Sequence, residues 1–404
     1  IKTLLVRGAP AIGVSGAFGL ALAALQSKAT TKDELLSDLE DARKILFATR
    51  PTAVNLGWGL EKIMNVAKSG NSVDEIKRDR VKIAGSIVNT FDGYTHLTMT
   101  KSLSVFMLQL PEILEQMGAD MVLVNGDRGA QLMAAIVGAH LYKPVAHVQS
   151  GEVSGNIDGV SRHAITKFSH IHFASNRDAA TRVRKMGEEP FRIYEVGAPQ
   201  LDDLVQGRFA SPKETYKKFE LDPQKKTIIV MRHSVTEDFD NTEKHMEQTI
   251  KAVARFNDAQ VVVFLNNSDA GSNLLRKAID KNKTSAMKIY SNVPRFDFAG
   301  LMNIADVLVG NSSSGILEAP TFKLPAVNIG RREYGRLQGI NVIDAIESTD
   351  DIEKAIKKAL SRNFVEKMKK CTNPYGDGKS SERIVDVLAK TPIDEKLLIK
   401  RITY

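Results

Sequence analysis

The sequence predicts an α/β protein with two doubly wound domains that face each other across a cleft, preceded by a mainly helical segment. From about residue 100 onward, short apolar runs alternate with helix-like stretches, which is typical of parallel sheets covered by helices. Two of these runs end in polar turns, at residues 125–128 and 310–315. Open α/β sheets bind ligands at the carboxyl ends of their strands. The turns therefore indicate a ligand site in the cleft.

The first 80 residues are expected to form the helical segment. Apolar residues recur at helical spacing over residues 11–26, 32–49 and 54–68. No strand of convincing length is expected there.

Nine strands are expected after residue 100, in two series. The first series comprises residues 119–124, 144–148, 171–174 and 192–196. The second series comprises residues 227–231, 260–265, 287–290, 306–309 and 326–329. The stretch 198–224, rich in proline and charge, is expected to cross from one sheet to the other.

The chain of 404 residues is longer than one hydrophobic core usually supports, so several domains are expected. After the segment 1–80, we expect a first lobe over residues 81–200 and a second lobe over residues 201–380. Residues 381–404 are expected to form a helix that packs back on the first lobe.

Composition excludes several classes of protein. The net charge is +8, but the basic residues are scattered rather than clustered with aromatics, so no nucleic-acid partner is expected. The single cysteine, Cys371, excludes an internal disulfide and a thiolate zinc cluster, and it favours the reducing cytoplasm. Residues 11–26 are too short to span a bilayer, and Arg7, Gly8 and Pro10 interrupt any signal peptide. Neither a membrane nor secretion is expected.

Polar residues follow the predicted strands of both lobes. Those of the first lobe are Asp127, Arg128, His147, Gln149, Glu152, Asn156, Asp158, Arg162 and His163. Those of the second lobe are Arg232, His233, Asn266, Asn267, Asp269 and the turn at 311–314. Carboxylates and imidazoles dominate the first set, and neutral donors contribute much of the second. We therefore expect acid/base chemistry by the first lobe on a ligand that the second lobe holds.

Each motif also has a simpler structural explanation. The Gly/Ser turn at 310–315 could cradle a phosphate, but it also fits a tight strand-to-helix connection. Asp127 fits a helix N-cap, and His147 and His163 fit hydrogen-bonded core histidines. Only the combination of motifs favours a ligand site.

Three motifs of the first lobe are Gly-Asp-Arg at 126–128, Gly-Glu-Val-Ser-Gly-Asn-Ile-Asp at 151–158 and Arg-His-Ala-Ile-Thr-Lys at 162–167. Further motifs follow at residues 269–272, 310–315, 327–330 and 374–378. Together they resemble the hydrolysing UDP-N-acetylglucosamine 2-epimerases of sialic-acid and related nonulosonate pathways. The resemblance covers residues 81–404 and implies two Rossmann-like domains of the glycosyltransferase-B type.

The resemblance implies a reaction that uses no metal ion and no cofactor. In that family the C2 proton of the sugar is removed and UDP is expelled, which leaves a 2-acetamidoglycal. Water then adds at C1, and a proton returns to the opposite face of C2. A weakly acidic C2 proton requires a carboxylate base, and two carboxyl groups on opposite faces could take and return it. The expected substrate is UDP-N-acetylglucosamine or a UDP-diacetamido sugar, and the expected assembly is a homo-oligomer, a dimer or tetramer.

The resemblance also assigns roles by position. It assigns catalysis to Asp127, Glu152, Asp158, His147 and His233. It assigns contacts with UDP or the sugar to Arg128, Arg162, His163, Asn267, Asp269, Ser312, Ser313, Glu318 and Arg332. Glu318 is suited to accept both ribose hydroxyls, and Arg332 to pair with phosphate or stack near the base.

The chain departs from the family at two places. Relatives in the wider group often carry a carboxylate two residues after the strand-end histidine, where this chain has Gln149. The family also opens with a strand and a Gly-Ser/Thr-Arg turn, for which residues 1–80 offer no counterpart. Without that strand, an exposed sheet edge is expected in the first lobe.

Two motifs of the N-terminal segment are Val-Arg-Gly-Ala-Pro-Ala-Ile-Gly at 6–13 and Arg-Pro-Thr-Ala-Val-Asn-Leu at 50–56. They resemble methylthioribose-1-phosphate isomerase and the related regulatory subunits of a translation-initiation exchange factor. Arg7 and Arg50 would match phosphate contacts of the isomerase, although surface or capping roles are simpler. Because the isomerase's catalytic cysteine and aspartate belong to a later domain, no isomerase activity is expected.

Three functions remain open from the sequence. The first is a hydrolysing 2-epimerase. The second is a UDP-sugar-binding or glycosyltransferase-like protein without epimerase turnover. The third is an inactive hybrid, either because its first lobe lacks the leading strand or because it is an isomerase-related fragment.

Overall fold

The computed structural model describes residues 20, 22–24, 26, 27, 29, 32–49, 56, 60, 81–88, 95–155, 157–265, 272–291 and 293–403. The chain forms two compact units, residues 1–83 and residues 84–404.

The first unit contains helix α1 (Lys32–Ala48), which confirms the helix predicted over residues 32–49. The unit has a small core of buried leucines, Leu20, Leu39, Leu56 and Leu60. The helices predicted over 11–26 and 54–68 lie mostly outside the described residues, and Arg7 and Arg50 lie outside them altogether.

The first sheet of the second unit has four parallel strands in the order β1-β2-β3-β4. They are β1 (Val122–Asn125), β2 (Val145–Val148), β3 (Ile171–Ala174) and β4 (Ile193–Glu195). Strands β2 and β3 are buried throughout, as expected for the interior of a parallel sheet. Within the described residues β1 pairs only with β2, and its Leu123 is 53% exposed. The described part of this sheet therefore has an open edge at β1.

The second sheet has six parallel strands in the order β10-β9-β8-β5-β6-β7. They are β5 (Thr227–Met231), β6 (Gln260–Phe264), β7 (Met287–Tyr290), β8 (Val307–Gly310), β9 (Ala326–Ile329) and β10 (Val342–Ala345). The nine strands predicted from the sequence are confirmed, with small shifts at their ends. Strand β10 is not among them, because a four-residue run containing Asp344 gives little periodic signal.

Helices flank both sheets, which confirms the predicted α/β class. They are α2 (His96–Gln116), α3 (Gly129–His140), α4 (Ile157–Phe168), α5 (Arg177–Lys185), α6 (Asp202–Val205), α7 (Pro212–Lys218), α8 (Thr242–Val253), α9 (Ser272–Asn282), α10 (Arg295–Ile304), α11 (Ser314–Leu317), α12 (Thr349–Ala359), α13 (Arg362–Met368), α14 (Ser380–Lys390) and α15 (Glu395–Leu398). Short 3₁₀ turns occur at Pro190–Arg192, Pro199–Leu201, Thr236–Asn241 and Ala319–Phe322. Among the described residues, no helix is long and apolar enough to cross a membrane.

The six-stranded sheet is covered on both faces because its strands send alternate side chains into two cores. In β5, Ile228 and Val230 join a core that includes Met246 of α8, whereas Ile229 joins a second core with Leu301 of α10. All five side chains are fully buried, and burying each one stabilises the fold by about 1.5–3 kcal/mol. This sheet therefore has the doubly covered arrangement expected of parallel strands.

The C-terminal helices pack on the first sheet. Ile384 of α14 and Leu397 of α15 belong to the same buried cluster as Ala146 of β2 and Phe173 of β3. We call the sheet β1–β4 with its helices the first lobe, and the sheet β5–β10 with its helices the second lobe.

Candidate active site

The carboxyl ends of parallel strands bring the polar turns of the first lobe together. Asn125, the last residue of β1, lies opposite Val148, the last residue of β2. Asp127 follows the first of these strands, and Gln149 follows the second. The two turns are therefore neighbours at one edge of the sheet.

Arg162 of α4 joins these two turns. Its Nη2 donates a hydrogen bond to Asp127 Oδ2, and its Nη1 donates to the backbone oxygen of Gln149 at 2.6 Å. The Arg162 side chain is 3% exposed and that of Asp127 is 17% exposed. The carboxylate is thus anchored from the interior and still open to solvent. Asp127 is not a helix N-cap, because that position of α3 is occupied by Arg128.

His147 is a neutral group inside the first sheet. Its ring is fully buried, and Nε2 lies 2.8 Å from the backbone oxygen of Gly126. Since a carbonyl oxygen only accepts, Nε2 carries the proton and Nδ1 keeps a lone pair, which has no hydrogen-bond partner among the described residues. Burial and the Arg162 guanidinium lower the pKa of His147 to about 3. The imidazole is therefore uncharged at neutral pH.

Gln149 has a strained backbone. Its φ is +62°, in the left-handed region that disfavours residues other than glycine. Strain of this kind costs about 1–3 kcal/mol and occurs preferentially at binding and catalytic sites. The strained residue lies in the turn whose backbone Arg162 binds.

Glu152 lies at the contact between the two lobes. Its Oε1 accepts a hydrogen bond from Ser175 Oγ at 2.5 Å, and its Oε2 lies 3.5 Å from Arg336 Nη2. The Glu152 side chain is only 2% exposed. Its carboxylate is therefore enclosed beside an arginine of the second lobe and is less exposed than that of Asp127.

Asp158 and His163 lie on α4. Asp158 is partly exposed in the first helical turn, where the helix dipole favours a negative charge. Burial and the nearby guanidinium groups of Arg162 and Arg182 lower the pKa of His163. Asn156, which precedes this helix, lies outside the described residues.

The Gly/Ser turn at 310–315, which we call the serine turn, is fixed to the end of β5. At Gly310 the φ is +148°, and a Cβ atom would lie 1.8 Å from the backbone oxygen of Met231, so a side chain cannot fit. The Asn311 side chain accepts from the His233 N–H at 2.7 Å and donates to the His233 oxygen at 2.9 Å. Ser312 and Ser313 follow directly, and α11 begins at Ser314. The turn and His233 are thus held as one unit.

His233 is flanked by arginines of both lobes. Arg332 follows β9, and its Nη1 donates to the Asn311 oxygen at 3.0 Å. Burial and the positive charges of Arg332 and Arg128 lower the pKa of His233 to about 3. Because Arg128 belongs to the first lobe, the cleft near His233 is positive on both sides. That environment suits an anion such as a diphosphate. A small pocket borders His233.

Glu318 lies just beyond the serine turn. It is 7% exposed, and Arg295 Nη1 donates to its Oε1 at 2.7 Å. Arg295 thereby orients the carboxylate just after α11.

The structure brings half of the predicted site residues into two groups. Asp127, His147 and Arg162 meet in the first lobe, and His233, Arg332 and the serine turn meet in the second. Asn267 and Asp269 lie outside the described residues. Among the described residues, no group of three or more His, Cys, Asp or Glu side chains is placed to hold a metal ion.

Four residues that contact the site were not singled out by any sequence motif. They are Ser175, Arg295, Glu333 and Arg336. The available signal was weak: Glu333 and Arg336 are charged residues in the same strand-end loop as Arg332. Their contacts depend on how distant parts of the chain meet.

Comparison with known proteins identifies the family of the larger unit. The model of the UDP-N-acetylglucosamine 2-epimerase family matches residues 73–389. A UDP-N,N'-diacetylbacillosamine 2-epimerase (hydrolyzing) of Legionella pneumophila is 36% identical over 336 residues, which is 83% of this chain and 88% of the relative. The crystal structure of UDP-GlcNAc 2-epimerase from Neisseria meningitidis bound to UDP-GlcNAc has a TM-score of 0.69 at 20% identity, covering 79% of this chain and 89% of that one. The predicted glycosyltransferase-B-like fold is confirmed.

The N-terminal part matches a different family. The model of the initiation factor 2 subunit family matches residues 5–104. A putative methylthioribose-1-phosphate isomerase of Pyrococcus horikoshii is 52% identical over 91 residues, which is 22% of this chain and 25% of the relative. The chain thus spans about a quarter of that isomerase. Both resemblances are confirmed: the chain belongs to the UDP-N-acetylglucosamine 2-epimerase family and carries an N-terminal segment similar to methylthioribose-1-phosphate isomerase.

Proposed function

We propose that the protein is a hydrolysing 2-epimerase that converts a UDP-2-acetamido sugar and water into UDP and the free 2-epimeric sugar. The observation that carries this proposal is the pairing of an anchored, accessible Asp127 with a positively flanked His233 across the cleft. The first group suits proton abstraction, and the second region suits a leaving diphosphate.

In this proposal the second lobe grips the nucleotide. Ser312 and Ser313 contact the diphosphate beside His233, and Arg332 neutralises its charge together with Arg128 of the first lobe. Glu318, oriented by Arg295 at 2.7 Å, accepts the ribose hydroxyls. Because the imidazole of His233 is neutral, it acts as a hydrogen-bond partner of the phosphate and not as a cation. Asn267 and Asp269 are proposed to contact the UDP-sugar as well.

Asp127 is proposed to remove the C2 proton. As the C2–H bond breaks, its electrons form the C1=C2 bond of the glycal, and the C1–O bond to UDP breaks with the electron pair leaving on the phosphate. Arg162 holds the carboxylate in place, with a second anchor at Gln149. His147 and His163 are proposed to provide neutral hydrogen-bonding groups in the same lobe.

Water then adds to C1 of the glycal, and a proton is delivered to the opposite face of C2. Asp158 and Glu152 are the proposed carboxyl groups for this step. Asp158 is partly exposed, whereas Glu152 is buried against Arg336 and must become accessible to the sugar if it is to donate. The net change consumes one water and releases UDP.

Two sugars are candidate substrates. The Legionella pneumophila relative is named for UDP-N,N'-diacetylbacillosamine, which supports a diacetamido sugar, and UDP-N-acetylglucosamine is the other candidate. The test is to incubate the protein with each sugar and to follow UDP and free sugar by NMR. We expect both products in equal amounts. A UDP-linked epimer without free UDP would instead indicate a non-hydrolysing reaction.

A UDP-sugar-binding protein without turnover is the second candidate. The burial of Glu152 and the open edge at β1 in the described sheet favour it. It predicts tight UDP binding, unaltered sugar and no effect of Asp127→Asn on any product.

A further inference from the structure

Two loops of opposite lobes meet beside Glu152, and we call them the inter-lobe latch: residues 152–155 of the first lobe and residues 331–336 of the second. The Gly155 N–H donates to the Arg332 oxygen at 2.8 Å. Arg336 Nε donates to the Val153 oxygen at 3.2 Å, and its Nη2 lies 3.5 Å from Glu152 Oε2. Backbone and side chain therefore both cross the interface.

The latch requires a close approach of the two backbones. A Cβ atom on residue 155 would lie 2.0 Å from the backbone oxygen of Arg331. Only glycine avoids this clash, so Gly155 allows the 2.8 Å hydrogen bond to Arg332 to form.

Charged side chains connect the latch to the residues of the second lobe that are proposed to bind the nucleotide. Glu333 Oε2 lies 2.8 Å from Arg336 Nη1, and Glu333 Oε1 accepts from Arg332 Nη1 at 2.6 Å. Arg332 in turn donates to the backbone oxygen of Asn311 in the serine turn at 3.0 Å. Glu152, Arg336 and Glu333 have side chains only 2–6% exposed, so losing one partner would leave a buried charge unpaired. A continuous chain of contacts thus links Glu152 to the serine turn.

We infer that Arg336 is a positioning residue for the reaction. It holds Glu152 and the Val153 backbone against the second lobe. It thereby fixes the position of the first-lobe carboxylates relative to the proposed UDP-binding residues of the second lobe. This inference rests on the proposed function. The proton transfer requires both lobes at once, whereas the proposed UDP contacts lie mainly on the second lobe. Misalignment of the two lobes therefore lowers turnover far more than UDP binding, because a small displacement of a catalytic group greatly lowers its effective concentration.

The surroundings of Glu152 make Arg336 its closest cationic partner across the interface. The other charged or titratable groups around Glu152 and Arg336 are Glu333, Tyr375, Asp127, Asp178 and Arg182. Of these, Arg182 is tied to the Gly151 oxygen at 2.6 Å and to Asp178 at 2.7 Å. A pocket with room for about one water molecule borders the Glu152 and Arg336 side chains.

The test compares three single variants with the wild type. Arg336→Met removes the charge and all donors, Arg336→Lys keeps the charge, and Arg331→Met changes an exposed arginine of the same loop. We expect Arg336→Met to lower kcat about 10- to 100-fold while the Kd for UDP, measured by calorimetry, changes less than about threefold. Arg336→Lys should recover part of kcat, and Arg331→Met should match the wild type. An unchanged kcat in Arg336→Met, or losses of kcat and UDP affinity that are equal, would overturn the inference.

A double-mutant cycle tests whether Arg336 acts through Glu152. If it does, Glu152→Gln combined with Arg336→Met turns over no more slowly than Glu152→Gln alone. Fully additive losses would contradict a shared role.

A measurement that needs no turnover separates this inference from the proposed function. Spin labels are attached at Lys185→Cys in the first lobe and Lys354→Cys in the second, both exposed positions. We expect the distribution of distances between the labels to broaden in Arg336→Met and to stay narrow in Arg331→Met. If the wild type releases no UDP, the proposed function fails, and these distances still decide whether Arg336 fixes the lobes. Identical distributions in all three proteins would refute the latch.

Discussion

Arg162 and Asp127 form an ion pair between the interior of the first lobe and its cleft. The guanidinium is 3% exposed, the carboxylate is 17% exposed, and the same guanidinium holds the Gln149 backbone at 2.6 Å. One buried cation therefore fixes two strand-end turns at once. This arrangement makes Asp127 the best-placed base for the proposed reaction.

Replacing Asp127 by Asn should abolish most turnover and leave UDP binding nearly intact. The amide keeps the shape and a hydrogen bond to Arg162 but cannot accept the C2 proton. We expect kcat to fall by about 10²- to 10⁴-fold, the usual contribution of a general base. Steady-state assays of UDP release would measure this, and Kd for UDP should stay within about threefold of the wild-type value.

The matched control for that variant is Asp203→Asn, because Asp203 is 56% exposed on α6. It should behave as wild type. A similar fall of kcat in both variants would mean that Asp127 has no specific part in proton transfer.

Replacing Glu318 by Gln should weaken nucleotide binding. A charged acceptor for two ribose hydroxyls is lost, and hydrogen bonds to charged groups contribute about 1.5–3 kcal/mol. We expect Kd for UDP to rise about 10- to 100-fold by calorimetry. UMP should lose affinity by the same factor, since it shares the ribose, and inorganic diphosphate should lose none. Equal weakening for diphosphate would place Glu318 outside the ribose site.

Replacing Gln149 by Gly should stabilise the fold. Glycine adopts the observed φ of +62° without strain, so we expect the free energy of unfolding to rise by roughly 0.5–1 kcal/mol. Urea denaturation measures it, with Gln149→Ala as the control that keeps a Cβ atom. Because the carboxamide exchanges no protons, turnover should remain within about threefold of wild type for both variants. Loss of turnover in both would show that the Gln149 side chain takes part.

His170 should make the fold less stable in mild acid. Its Nδ1 accepts the Val145 N–H at 3.0 Å, and burial with the charges of Lys400 and Arg192 lowers its pKa to about 4. Between about pH 6.5 and pH 4 the unfolded chain therefore binds a proton that the folded protein does not, so stability falls as the pH falls. This residue contributes about 1.4 kcal/mol per pH unit to that fall.

Urea unfolding of the wild type and of His170→Gln between pH 7 and pH 5 measures this contribution. The slope of unfolding free energy against pH should be smaller in the variant by one proton. Parallel slopes would show that His170 titrates alike in the folded and unfolded states.

Arg192 should tie the C-terminal tail to the first lobe. Its side chain is fully buried and donates to the backbone oxygens of Leu397 at 2.6 Å, Lys396 at 2.9 Å and Ile399 at 3.0 Å. We expect Arg192→Met to lower the free energy of unfolding by about 2–4 kcal/mol, because these carbonyl groups lose a charged donor. The exposed Arg184→Met on α5 is the control. Hydrogen exchange should show faster exchange of residues 395–403 only in the Arg192 variant, and unchanged exchange there would contradict this role.

The strands could be predicted because parallel sheets bury short β-branched runs, and the turns after them could be predicted because polar residues follow each run. Strand β10 was not predicted because Asp344 interrupts its apolar pattern. The pairing of Asp127 with Arg162 could not be predicted as a contact, since the two residues are 35 positions apart and meet only when α4 packs on the sheet.

The burial of Glu152 could not be predicted from the sequence either. Its family motif marks it as an acid/base residue, but its environment depends on Arg336, which is 184 positions away in the other lobe. Motifs report the chemistry that a residue type can perform. Whether a carboxylate faces the cleft or an arginine depends on how the lobes meet.

The most direct measurement is turnover of UDP-N-acetylglucosamine and UDP-N,N'-diacetylbacillosamine in deuterated water, followed by ¹H and ³¹P NMR. We predict that at least one of them yields free UDP together with a free sugar that carries deuterium at C2, and that Asp127→Asn yields neither. Intact substrate after prolonged incubation of the wild type with both sugars, with no UDP and no deuterium at C2, would contradict a hydrolysing 2-epimerase.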